Sequence, residues 1–182
     1  MSAVTSPQES ASGLSSDGVE TGMADPQGRL RGRLTGTPIH PKSLLATDYL
    51  NHFNEPAMLL DILADCPESI EDLAAWKPLS YADHFRASGL SYSELAIEAY
   101  RLAPAQFRIG FELVVAEMNA LVAGAIAQAK EALETSDPAT FARISADAQR
   151  LQALVAEAGG IVQGEPSRRV DQNAIDALMG QK

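Results

Sequence analysis

Cysteine is almost missing from this chain. Cys66 stands alone in 182 residues, which excludes an intramolecular disulfide. No Cys/His ligand set surrounds it, so it reads as a small helix-end residue in a reducing compartment. Aromatic residues are scarce, at 5%. Positive charge is in the minority: 14 Lys and Arg stand against 24 Asp and Glu, a net charge of -10. A surface of that sign repels a phosphate backbone, so no nucleic-acid partner is expected. No apolar run reaches the roughly 18 residues of a membrane span. The most apolar stretch, Leu113 to Ala127, is interrupted by Glu117 and Asn119. The first residues, MSAVTSPQESASGLSSDG, have neither a basic n-region nor an apolar h-region, so no secretory signal is expected and the cytoplasm is the expected location. Histidine is limited to His40, His52 and His84. They lack Glu-x-x-His spacing, so no zinc or di-iron site is expected. Gly32 to Gly36 lacks the Lys-Ser/Thr ending of a phosphate loop, and there is no Gly-x-Ser-x-Gly elbow. No metal and no cofactor are expected.

What the chain has in quantity is helix former. Hydrophobic residues make up 46% of it, much of that alanine. Alanine loses no side-chain entropy in a helix, so the composition predicts an all-α fold. Four regions follow from the punctuation. Residues 1–40 are rich in Ser, Gly, Thr, Pro and Gln, and read as disordered. Their Arg29, Arg31 and Arg33 read as a solvated linker. Residues 41–104 read as short helices packing on a hairpin. Pro56 should end one helix or open the next. Ser69-Ile-Glu-Asp72 and Ser91-Tyr-Ser-Glu94 read as capping boxes, and Gly89 as a helix stop.

Residues 105–162 read as a long antiparallel helical hairpin. Phe107, Phe111, Val114, Met118, Leu121, Ala125 and Ala132 fall on one seam, and Val115, Val122, Ile126, Ala129 and Leu133 lie beside it. Thr135-Ser-Asp-Pro138 breaks the helix, with Asp137 as N-cap and Pro138 at N1. Phe141, Ile144, Ala148, Leu151, Val155, Ala158 and Val162 form the seam of the second arm. The apolar face is wider than a two-stranded coiled coil needs. It must be covered by region 41–104 or by a second copy, so a homodimer through the hairpin is one expectation. Residues 163–182 read as a flexible tether followed by an amphipathic docking helix, with Ile175, Leu178 and Met179 at i, i+3 and i+4.

That last segment, Asp171-Gln-Asn-Ala-Ile-Asp-Ala-Leu-Met179, resembles the peptide with which the FliM family of flagellar switch proteins binds the chemotaxis response regulator CheY. The family pattern is Ser-Gln-Asp-Glu-Ile-Asp-Ala-Leu-Leu. Gln172, Ile175, Asp176, Ala177 and Leu178 match it. Asp171, Asn173, Ala174 and Met179 depart from it. The layout is similar to the CheZ phosphatases, which carry a related peptide on a tether behind a dimerising helical hairpin. The resemblance implies a signalling adaptor that binds a CheY-like receiver domain through Gln172, Ile175, Asp176, Leu178 and Met179.

A receiver-aspartate phosphatase is the alternative. CheZ-type catalysis needs Asp and Gln at i, i+4. Asp147 and Gln152 are five apart and point about 140° apart around a helix. The CheC and CheX phosphatases use Glu-x-x-Asn, and Asp48-Tyr-Leu-Asn51 has that spacing with Asp for Glu. His52 follows, four residues before Pro56, and resembles the phospho-acceptor histidine of histidine kinases, where the interval is five. Asp48, Asn51 and His52 are therefore the catalytic candidates. A further alternative is a self-assembling, phasin-like helical protein.

Overall fold

The computed structural model describes residues 25–167, 169 and 170. Residues 1–24 and the expected docking positions Gln172, Ile175, Asp176, Leu178 and Met179 lie outside the described residues. All regular structure among the described residues is helical. Seven α-helices and two 3-10 turns follow one another.

The first of them corrects the sequence reading. Asp25 accepts a hydrogen bond from the Gln27 N–H at 3.0 Å, Pro26 fills the first turn, and α1 runs Pro26–Arg33. Leu30, Leu34 and Ile39 are all buried. Residues 25–40 are therefore part of the folded body. Three large apolar residues suffice to hold the segment, although its average composition is polar. Two of its three arginines are tied down too: Arg33 pairs with Glu98 at 2.8 Å, and Arg31 Nε donates to the Pro41 carbonyl at 3.1 Å.

The chain then meets the end of the last helix. Lys42 Nζ donates to the Gly164 carbonyl at 2.6 Å, and Ser43 Oγ donates to the Val162 carbonyl. These bonds satisfy carbonyls that the end of the last helix leaves free. A 3-10 turn, Thr47–Leu50, leads into α2, Asn51–Ile62. Pro56 neither ends nor opens a helix. It sits inside α2. It has no N–H for the carbonyl of His52, one turn back. The indole of Trp76 takes that carbonyl instead, Nε1 to O at 3.0 Å.

Three short helices follow: α3, Ile70–Ala75; α4, Tyr81–Ser88; and α5, Ser93–Leu102. At α4 the punctuation is as the sequence suggests. Ser80 caps Asp83 N–H at 3.1 Å, and Gly89 takes the left-handed conformation, φ 66. The two capping boxes do not form. Ser69 Oγ donates to the Leu59 carbonyl, and α5 begins with Tyr92 rather than Ser91 at its N-cap. Neither N-cap of these helices carries a side-chain bond.

The two long helices are α6, Ala105–Thr135, and α7, Pro138–Val162. Ser136 adopts the left-handed conformation between them, and Asp137 accepts from the Ala139 and Thr140 N–H groups. Gln128 reaches Asp147 and Glu117 reaches Arg150, so sequence runs in opposite directions along the pair. α2 lies across both. Phe107, Phe111, Val114, Met118, Val122, Ala125, Ala129 and Ala132 form the buried stripe of α6. That stripe meets Ile144, Ala148, Leu151, Leu154 and Ala158 of α7.

α6 bears on the expectation about membrane spans by length and composition alone. It is long and apolar enough to cross a bilayer by length and composition, with a mean hydropathy of 1.7 over its most apolar window. One-third of that window, 33%, is buried inside the protein.

Candidate functional site

Asp48, Asn51 and His52 come from the junction of the 3-10 turn with α2. Local helical sterics would put Asp48 and Asn51 on neighbouring positions. The structure gives them different surroundings. Asp48 Oδ2 is shut off from solvent and has no partner among the described residues. Asn51 is exposed, and its Oδ1 accepts from Asn54 at 3.3 Å. The carboxylate turned inward and the amide at the surface do not share one open face. His52 is also drawn inward. Its ring stacks on Trp76 at 5.0 Å and 21°, and its Nε2 is buried without a partner among the described residues.

Three residues that the sequence reading did not join to this group surround it. His84 of α4 lies 6.2 Å from His52, ring to ring, and meets Tyr49 edge-on at 5.4 Å. Tyr92, the N-cap residue of α5, brings its hydroxyl close to Asp48. Trp76, at the end of α3, stacks on His52. These partners come from three separate elements, α3, α4 and α5, so no local motif announces them. One signal was present: a proline four residues after His52 frees a carbonyl, and a freed carbonyl needs a donor.

Burial sets the protonation of the cluster. Desolvation lowers the His52 pKa, and the neighbouring His84 lowers it further, against a bond to the Lys77 backbone that raises it. Desolvation likewise lowers His84, against Asp48, which raises it. Burial pushes the Tyr92 hydroxyl up to about 12, with help from Asp48. Chemically the arrangement is two neutral imidazoles beside a carboxylate and a phenol. It can accept protons only at a cost in stability.

The sign of that cost is fixed. Both histidines have folded pKa values below the ordinary 6.5. The unfolded chain therefore binds protons that the folded chain does not. Their full contribution is present above pH 6.5 and is lost as the pH falls below it. Asp83, Glu117 and Asp137 are depressed carboxylates whose losses begin only near their ordinary values of 3.8 to 4.5. Melting temperature should therefore begin to drop as the pH falls below about 6.5, before the carboxylates begin to lose their contribution. The double variant His52→Gln, His84→Gln should lose most of that drop. An unchanged pH dependence in the variant would assign the effect elsewhere.

A second functional feature is the segment after α7. It does not leave the body as a free tether over its described part. It turns at Gly164, φ 87, and runs back along the hairpin. A Cβ on Gly110 would stand 2.5 Å from Ser167 Cβ and 3.3 Å from Val170 Cγ2, so only glycine lets this strap lie down. Arg169 then bridges both long helices. It bonds Glu157 of α7 at 2.7 and 2.8 Å and contacts Glu117 of α6. Arg150 bonds the other oxygen of Glu117 at 2.7 Å. Hydrogen bonds from Arg169 and Arg150 hold the Glu117 carboxyl below the usual range. No family model, curated protein or solved structure matches the chain.

Proposed function

We propose that this chain is a cytoplasmic signalling adaptor of the two-component or chemotaxis type. Its helical body presents the C-terminal segment Asp171 to Met179 to a CheY-like receiver domain. Gln172, Ile175, Asp176, Leu178 and Met179 make the contact in this reading. The observation that carries it is the Arg169 bridge, which stands immediately before the matching residues. Arg169 bonds Glu117 and Glu157, so the motif starts from a fixed point on the flank of α6 and α7. A short amphipathic segment held at one end is a suitable docking ligand, because it folds against a partner's groove.

Removal of residues 171–182 tests this. The truncated protein should keep its thermal melt and lose binding to a purified receiver domain. Retained binding would place the contact on the body instead. The alternative of a receiver phosphatase on Asp48 and Asn51 draws no support from their geometry, since the carboxylate faces inward and the amide outward.

A second reading, self-association through the hairpin, is favoured by the outer side of α6. Leu113 is 46% exposed there. Ala116, Ala120, Ala123, Gly124 and Ala127 continue the same exposed side, and no charge interrupts it between Glu117 and Lys130. Such a face suits a close helix pair between two copies. Sedimentation velocity should show a dimer that Ala120→Glu converts to monomer. A monomeric parent protein would remove this reading.

A further inference from the structure

The outer side of α6 is an apolar helix face that no described residue covers. Leu113 is 46% exposed, and only 33% of the most apolar window of the helix is buried. Ala116, Ala120, Ala123 and Ala127 follow Leu113 at steps of three and four, so they share its side of the helix. Gly124 lies beside them, and a Cβ built on it would meet nothing within 4 Å. The face is therefore open in its middle. From Leu113 to Ala127 it is about 21 Å long. Its small side chains let a second helix approach closely.

The strap delivers the chain to one end of this face. Ser167 and Val170 lie against Gly110, which precedes Leu113 by one helical turn. Arg169 reaches on to Glu117, about 10 Å further along α6 than Gly110. Its bond to Glu157 of α7 fixes the chain at that point. The next residue after Val170 therefore starts beside Leu113, and the strap already runs in the direction of Ala127. As a helix, residues 171–182 would span about 18 Å, close to the length of the face. Their Ile175, Leu178 and Met179 have the i, i+3, i+4 spacing of a single apolar side.

We propose that the chain's own segment 171–182 docks in cis on the outer face of α6, as a helix that lays Ile175, Leu178 and Met179 over Leu113, Ala116 and Ala120. These are the residues that the adaptor reading gives to the receiver, so the docked tail is withheld from that partner. The withholding rests on the adaptor reading; the docking itself does not. A second copy of α6 would compete for the same face, but the tail is tethered beside it. A short tether gives an effective concentration of about millimolar order, far above that of a second copy in dilute solution. The contact is shallow and local, so it opens before the body melts and leaves the thermal melt unchanged.

Paramagnetic broadening in amide-resolved NMR of the full chain tests this without a receiver. Cys66→Ser removes the lone thiol, and Gln181→Cys then carries a nitroxide. The label should broaden the amides of residues 113–124 more than any other part of the body. Adding Leu178→Asp in the tail, or Ala120→Glu at an exposed position of the face, should cut that broadening several-fold while the protein stays folded. A sample that mixes labelled, unenriched chains with unlabelled, enriched ones should show none, because the contact is within one chain. Broadening centred on another helix, broadening undiminished in both variants, or broadening in the mixed sample would each overturn docking in cis. A docked tail also lowers the apparent affinity for a receiver in proportion to its open fraction. Ala120→Glu should therefore bind a purified receiver domain several-fold more tightly than the parent chain, and equal binding by the two would overturn the withholding. Failure of both to bind contradicts the adaptor reading alone, and the label experiment still decides the docking.

Discussion

Phe111→Ala should destabilise this protein by about 3–5 kcal/mol, the range for removing a buried aromatic ring. Phe111 is 1% exposed and lies on the buried stripe of α6. Its neighbours are other rings, Tyr49 at 5.7 Å and Tyr81 at 6.1 Å. Those tyrosines are fixed by hydrogen bonds to Leu79 and Ala46, so they cannot move in to fill the space. A site that cannot collapse sits at the expensive end of the range, because the cavity term adds to the lost transfer free energy. Domains of this kind hold only about 5–15 kcal/mol in total, so the variant should approach the limit of folding. Denaturant unfolding measures it. A loss of less than about 1 kcal/mol would mean that the aromatic cluster repacks freely.

Some of the fold was legible in the sequence, and the legible parts share a cause. The all-helical class follows from alanine content and spacing. The ends of α4, α6 and α7 follow from single residues whose chemistry acts within one turn: Ser80, Gly89, Asp137 and Pro138. The illegible parts are those where a distant group outcompetes a local one. Ser69 and Ser91 had the right spacing for caps, but the Leu59 carbonyl takes the Ser69 hydroxyl and α5 begins at Ser93 with Tyr92 as its N-cap. Pro56 looked like a helix boundary, and Trp76 removes the reason for one by satisfying His52. Residues 25–40 looked disordered because composition averages over a window, while Leu30, Leu34 and Ile39 act singly. Sequence singled out Asp48 and His52, but not His84, Trp76 and Tyr92, which meet them only in three dimensions. The pairing of Asp48 with Asn51 failed because the 3-10 turn carries the carboxylate inward.

The strap after α7 was illegible for a related reason. Gly-Glu-Pro-Ser is a linker composition, and one arginine between two acidic residues on separate helices is not a pattern in sequence. Arg169 nevertheless fixes where the following segment begins.

In the proposed docking segment Ile175, Leu178 and Met179 have the i, i+3, i+4 spacing that would put them on one side of a helix formed against the partner. Ile175→Asp or Leu178→Asp would carry a charge into the apolar contact that docking requires. Leaving a charge desolvated and unpaired in an interface costs on the order of 3 kcal/mol, roughly a hundredfold in Kd. Gln172→Ala, by contrast, removes a polar contact and should cost about tenfold. Because these positions follow the body, none of the three changes should alter its thermal melt.

The decisive measurement is calorimetric titration of a purified CheY-type receiver domain with the full-length chain and with Leu178→Asp. Binding of the parent chain with a Kd of about micromolar order, and its loss in Leu178→Asp, is the expected result. Equal affinity for the two proteins, or no binding by the parent chain to the receiver in either its phosphorylated or its unphosphorylated state, would contradict the adaptor function.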